Sequence, residues 1–284
     1  WGPQAHLGTA LATVGDINND SIPDLVIASD GDRELGPNGG AVFIVYLNRD
    51  GTVKSQKKIT PTGSFFNDYS VGDRFGLRVS NIGDINGDGN FDILVGTTGF
   101  KSWLVFLDEN QEVIGTKVYD YNDASIQSIF PDAEIFGQTV SSIPDINYDG
   151  RKEILLSAYR TTSGYGEVAL VFLDEEGDIS GHKLLNKDIN GLDLAQDEDF
   201  GGHLSYLGDL NNDGFPEIGL GGGQNSGQIE KGGAVYTISV VPGPCVEDQC
   251  LWPGDCNNDG VVNSKDLIPI GSAFLDSNLN ARRI

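Results

Sequence analysis

Methionine is absent from the 284-residue chain, and cysteine and histidine occur three times each. No apolar run approaches the ~20 residues a membrane-spanning helix needs, so the chain is expected not to span a bilayer. Basic residues are scarce: 18 Lys and Arg stand against 42 Asp and Glu, a net charge of −24. Nothing basic is clustered to neutralise phosphates, which excludes nucleic acid as a partner. The histidines His6, His182 and His203 are scattered, and neither a Gly-x-Ser-x-Gly elbow nor a glycine-rich phosphate loop leading into a helix occurs. His203 reads as a packed or edge residue of a strand. Cys245, Cys250 and Cys256 lie within twelve residues, and no second Cys or His pair completes a zinc site. A disulfide of an exported protein fits better, Cys245–Cys250 first and Cys250–Cys256 second, with the third thiol free or paired outside the chain. The chain starts at Trp1 without a leader-like stretch, which predicts a processed or truncated N-terminus.

Glycine, by contrast, is abundant at 39 residues, with 11 prolines. That composition disfavours long helices and predicts many short strands with tight turns, in one large or two modest domains. Oxygen-bearing side chains concentrate in one nine-residue pattern. Asp84, Asn86, Asp88, Asn90 and Asp92 stand at its positions 1, 3, 5, 7 and 9, and Gly89 permits a sharp turn. The pattern recurs as Asp16, Asn18, Asp20, Ile22 and Asp24, as Asp145, Asn147, Asp149, Arg151 and Glu153, and as Asp209, Asn211, Asp213, Phe215 and Glu217. Asp at 1, Asn at 3, Asp at 5 and an acid at 9 are common to all four. Position 7 varies, as expected of a residue that offers only its backbone carbonyl. Three carboxylates within nine residues repel one another unless a cation lies between them. Ca²⁺, which accepts 6–8 oxygens at about 2.3–2.6 Å, suits the set better than Mg²⁺ with its tight octahedron. Asn/Asp/Gly clusters are also ordinary turns, but four copies at spacings of 68, 61 and 64 residues mark a structural repeat.

Each repeat begins with an apolar residue and glycine: Leu7-Gly8, Phe75-Gly76, Phe136-Gly137 and Phe200-Gly201. A strand leads into the acidic loop and a near-continuous apolar strand leaves it, beginning at Leu25, Ile93, Ile154 and Ile218. A third strand follows (residues 41–47, 103–107, 168–173 and 234–240), then a turn and a fourth, alternating strand (53–59, 113–119 and 179–185). The predicted fold is all-β, a β-propeller of four-stranded antiparallel blades over residues 1–241. Four blades are detected. The fourth has no outermost strand before Pro242, which predicts a larger propeller or a second copy that supplies the missing surface.

Phe-Gly, about seven residues, Asp-x-Asn-x-Asp-Gly-x-x-Asp and an apolar strand together resemble the FG-GAP repeat, the family of the integrin α propeller and of many bacterial secreted proteins. The resemblance covers residues 7–240. It implies a propeller, typically of seven blades, with Ca²⁺ in hairpin loops on one face. It also implies side-chain ligands at positions 1, 3, 5 and 9 and a carbonyl ligand at 7. Leu7 in place of Phe, and Glu153 and Glu217 in place of Asp, depart from the pattern.

A Pro/Cys linker over 242–254 leads to a last segment, 255–284, in which Asp255, Asn257, Asp259, Val261, Asn263 and Asp266 stand at positions 1, 3, 5, 7, 9 and 12. Gly260 at position 6 matches an EF-hand loop, and Asp266 in place of Glu resembles a dockerin repeat, of which only one is present. The apolar run from Leu267 to Leu275 is placed as the start of a helix. About five Ca²⁺ are expected in all. No catalytic constellation emerges: a carboxylate pair would suit a glycosidase, but the acids that can be placed belong to the metal loops. The leading expectation is a secreted or cell-surface, bacterial-type adhesion module for a protein or glycan ligand. The alternatives are a propeller polysaccharide lyase or hydrolase with its active residues elsewhere, and a homo-oligomeric or larger extracellular assembly.

Overall fold

The computed structural model describes residues 5–188, 194, 199–212, 215–223 and 233–240. Its first blade is β1 (Leu7–Gly15), β2 (Asp24–Ser29), β3 (Ala41–Leu47) and β4 (Val53–Ile59). The second is β5 (Arg78–Gly83), β6 (Asp92–Gly96), β7 (Lys101–Leu107) and β8 (Val113–Asp120). A short helix, α1 (Ala124–Ile129), and β9 (Ala133–Ile135) precede the third blade. That blade is β10 (Val140–Ile143), β11 (Glu153–Ala158), β13 (Glu167–Leu173) and β14 (Ile179–Leu185); the intervening β12 (Arg160–Thr161) pairs with β9 instead. The fourth is β15 (His203–Gly208), β16 (Glu217–Gly222) and β17 (Ala234–Ser239). Every blade is an antiparallel meander in chain order, and the four are arranged as a β-propeller. Among the described residues the fourth blade has three strands, and the residues after Val240 lie outside that description. The linker and the segment from 242 onward, with its cysteines and fifth acidic loop, lie outside the described residues.

The apolar pattern explains the stacking. β6 and β11 are buried along their whole length, because each is covered on both faces by neighbouring blades. Three core clusters follow, one between each successive pair of blades. Val26, Val42 and Ile44 meet Val95, Trp103 and Val105. Ile82, Leu94 and Leu104 meet Ile154, Leu156 and Val171. Leu155, Val168 and Leu170 meet Ile218, Leu220 and Ile238. The helix α1 is a feature that strand periodicity does not announce. It sinks Ile126 and Ile129, with the adjoining Phe130, into the cluster between the second and third blades.

The apolar-Gly dipeptides fix how closely blades approach. Phe75, Phe136 and Phe200 are fully buried, whereas Leu7 is 44% exposed. Each phenylalanine packs against the blade before it, and Leu7 has no preceding blade to enter among the described residues. The following glycines have positive φ, and a side chain on Gly137 would lie 2.6 Å from the Lys101 carbonyl. At Gly8 the same space is open.

The first strand of each blade lies innermost. Around the axis, Asn81 Nδ2 donates to the Thr13 carbonyl (3.0 Å), and Ser142 Oγ donates to the Asn81 carbonyl (2.8 Å). These strands line an open cavity of about 430 Å³. Its lining comes from the beginnings of β1, β5, β10 and β15, so all four strands start at one end of the axis and the acidic loops follow at the other.

Candidate functional site

Each acidic loop joins the first strand of a blade to the second. In three blades a glycine with φ near +75° precedes the first Asp: Gly15, Gly83 and Gly208. Register shifts accompany them, at Thr13/Gly15, Asn81/Gly83 and Tyr206/Gly208. Blade three has Pro144 there, whose ring cannot adopt positive φ, and its register runs without a shift to Ile143–Glu153. Positions 4 and 6 are also left-handed. Position 4 is Asn19, Gly87, Tyr148 or Asn212, and position 6 is Gly89, Gly150 or, in the first loop, Ser21 at φ +65°. Serine there costs roughly 1–2 kcal/mol more than glycine.

This coiling aims backbone N–H groups at the side-chain oxygens. In the second loop Asp84 accepts from the N–H of Asp88 (3.0 Å) and of Gly89 (2.8 Å). The Asp88 N–H is shared with Asn86 Oδ1 (3.1 Å), and Asp88 Oδ1 accepts from the Asn90 N–H (2.8 Å). The first loop repeats the set through Asp16, Asn18 and Asp20, and the third through Asp145, Asn147 and Asp149. Positions 1, 3 and 5 are thus brought together in three loops. In the fourth, Asp213 lies outside the described residues.

Position 9 behaves differently. Asp24, Asp92, Glu153 and Glu217 are the first residues of the second strands and are at most 3% exposed. Asp92 accepts from the N–H of Ile85 (3.0 Å) and of Leu107 (3.0 Å), which pins the loop to the end of the third strand. Asp24 does the same with Ile17 (3.4 Å) and Leu47 (3.0 Å). Glu153 accepts from the Ile146 N–H (3.1 Å). Glu217 accepts from the Leu210 N–H (2.7 Å) and from the Ser239 hydroxyl (2.6 Å). Burial pushes Asp92 up to about 7 and Glu153 up to about 8, against the pull of those N–H donors. The spacing of the residues identifies the acid at position 9. Its service as a buried strand clamp is set by the third strand of the blade, about fifteen residues on in the second blade.

Two of the position 5 acids also face basic side chains. Lys54 Nζ from β4 lies 2.7 Å from Asp20 Oδ2, which holds that carboxyl below its usual range. Arg151, at position 7, sets its guanidinium 3.4 Å from Asp149 Oδ2 and 3.2 Å from the Leu173 carbonyl. All donors in the loops are oxygens, and Asp84 and Asn86 turn theirs to one shared N–H; this chemistry fits a hard cation. Among the described residues no three His, Cys, Asp or Glu side chains close to metal-binding distances. An acid-to-alanine series separates the two kinds of position. In EDTA, Asp92→Ala is expected to cost about 1–3 kcal/mol for each stranded N–H, whereas Asp88→Ala, an exposed change, stays within about 1 kcal/mol. Equal losses in urea titrations would remove the distinction.

Residues 16–95 match the FG-GAP-like repeat, a span from the first acidic loop to the end of β6. Over 182 residues, 61% of this chain and 13% of the relative, the sequence is 28% identical to integrin alpha-2 of Mus musculus. Over 232 residues, 76% of this chain and 20% of the relative, it is 28% identical to integrin alpha-3 of Cricetulus griseus. Over 97 residues, 34% of this chain and 8% of the relative, it is 40% identical to integrin alpha-6 of Homo sapiens. The chain therefore spans a fifth or less of the length of these relatives. No helix among the described residues is long and apolar enough to cross a membrane. The chain is thus a β-propeller of four antiparallel sheets that carries an FG-GAP-like repeat match over residues 16–95 and is similar to integrin α chains.

Proposed function

We propose that this propeller is a calcium-stabilised binding module of the cell surface or extracellular space, whose partner is a protein or glycan. The observation that carries the reading is the recurrence of one oxygen pattern at the same turn of every blade, with Asp at 1 and Asn at 3 sharing a single N–H in the first three. The residues that would hold the ions are Asp16, Asn18, Asp20 and Asp24; Asp84, Asn86, Asp88 and Asp92; Asp145, Asn147, Asp149 and Glu153; and Asp209, Asn211, Asp213 and Glu217. The carbonyls of Ile22, Asn90, Arg151 and Phe215 complete them. A fifth ion belongs to Asp255, Asn257, Asp259, Val261, Asn263 and Asp266. A bound ion cancels the mutual repulsion of a loop's carboxylates and locks the turn between first and second strands; binding energy then stabilises the fold, since the unfolded chain has no site.

The similarity to integrin α chains supports an adhesion role, and the charge of −24 supports a need for cations. Elemental analysis of the full chain after equilibration with Ca²⁺ is expected to give about five ions, and Asp84→Ala should remove one. A chain without calcium overturns the reading. With calcium established, a glycan array and a panel of matrix proteins, each probed with and without EDTA, should yield a cation-dependent ligand.

A further inference from the structure

The axial cavity is unusual in this acidic molecule. Its polar lining is Thr9, Arg78, Ser80, Ser141, His203 and Ser205, contributed by the innermost strands of all four blades. No carboxylate stands in that lining. Several basic side chains elsewhere are taken up by acids: Lys54 by Asp20, Lys58 by Asp32 and Glu34, Arg74 by Asp30, Arg160 by Asp199. Arg78 has no such partner among the described residues. One terminal nitrogen donates to the Leu77 carbonyl at 2.8 Å, which leaves the other donors of the guanidinium for the cavity. The acidic loops are remote from it. Six residues of strand separate Arg78 from Asp84, about 20 Å at 3.3 Å per residue.

We propose that this cavity binds a small molecule carrying one carboxylate on a hydroxylated body, such as a sugar acid. A guanidinium presents a planar fork that matches a carboxylate through two parallel hydrogen bonds. One permanent cation balances one negative charge; a doubly charged phosphate would leave an uncompensated charge inside a molecule of net charge −24. The serine and threonine hydroxyls both donate and accept, which suits hydroxyl groups on the ligand, and His203 adds a further ring nitrogen at the rim. A volume near 430 Å³ is at the small end of the range for ligand pockets and takes one or two sugar rings. Arg78 is the anchor, and Ser141 and His203 orient the ring. The proposal depends on the cavity alone and stands or falls apart from cation binding by the loops.

The test is calorimetric titration of the full chain with D-glucuronate, D-glucose and inorganic sulfate, in Ca²⁺ and again in EDTA. Glucuronate is expected to bind and glucose not to, with sulfate weaker and competitive. Arg78→Gln should weaken glucuronate binding about tenfold or more, the scale of losing one charge-assisted pair. Arg78→Lys, which keeps the charge without the fork, should fall between. Ser141→Ala should weaken glucuronate and leave sulfate unchanged, a difference that misfolding would not produce; an unaltered melting temperature for each variant confirms the fold. Absence of glucuronate binding, sulfate binding without it, or undiminished affinity in Arg78→Gln overturns the proposal.

Discussion

Stripping divalent cations from the full chain with EDTA is expected to lower its melting temperature by about 10 °C or more. A ligand that binds only the folded state stabilises it by about 2.7 kcal/mol when present at a hundred times its dissociation constant. Four or five loops acting together therefore contribute on the order of 10 kcal/mol. Each kcal/mol moves the melting point of a chain of this size by about 2–4 °C, so even a half-realised effect is large. The origin of the effect is visible in the second loop, where Asp84, Asp88 and Asp92 depend on N–H donors from five residues. Without an ion those donors must offset carboxylate repulsion unaided. Asp84→Ala and Asp209→Ala should each cost a few kcal/mol in Ca²⁺ and much less in EDTA, because the ion is already gone. Melting curves that coincide with and without chelator, in the parent and in both variants, would sink the calcium reading while leaving the propeller intact.

Phe136→Ala is expected to destabilise the chain by about 3–5 kcal/mol, the range for emptying a buried aromatic site, or roughly 6–20 °C in melting temperature. Phe136 is fully buried between the second and third blades. Its ring lies 5.3 Å from that of Phe130 and 6.2 Å from that of Tyr121. The cavity left behind has rigid walls, because Gly137 holds the backbone against Lys101 and cannot close in. Leu7→Ala, at the matching position of the first blade, should stay within about 0.5 kcal/mol, since Leu7 is exposed and a side chain on Gly8 would meet no neighbour. Denaturant titration of both variants in EDTA isolates packing from cation effects. Equal losses would contradict the view that the dipeptide acts only where a preceding blade receives it.

The contrast between Leu7 and Phe136 also shows how far residue patterns reach. Alternation, apolar runs and turn residues act over a few positions, and they place the second, third and fourth strands of the blades within a residue or two of where they lie. The departure at Leu7 is visible in the pattern, but its exposure, with no blade before it among the described residues, is a fact of packing. The exposed Leu207, Leu210 and Val235 on the fourth blade tell the same story at the other end. Position 2 of the loop is buried as Ile85 and Ile146, where a following blade covers it, and exposed as Leu210, where none does among the described residues. The helix α1 escapes notice because six residues give too little periodicity to read, and its apolar side matters only against a core built from two blades.

Chemistry that is local to one turn, namely oxygen donors at alternate positions, left-handed residues between them and a strand on either side, was settled by the order of the residues. It needs no contact from further along the chain to take shape. The burial of the ninth-position acids and the gathering of Arg78, Ser141 and His203 around one axis were decided by the tertiary structure alone. Those three residues are about sixty apart in the chain, and only the docking of blade on blade, driven by apolar faces that no single blade can cover, brings them to one cavity.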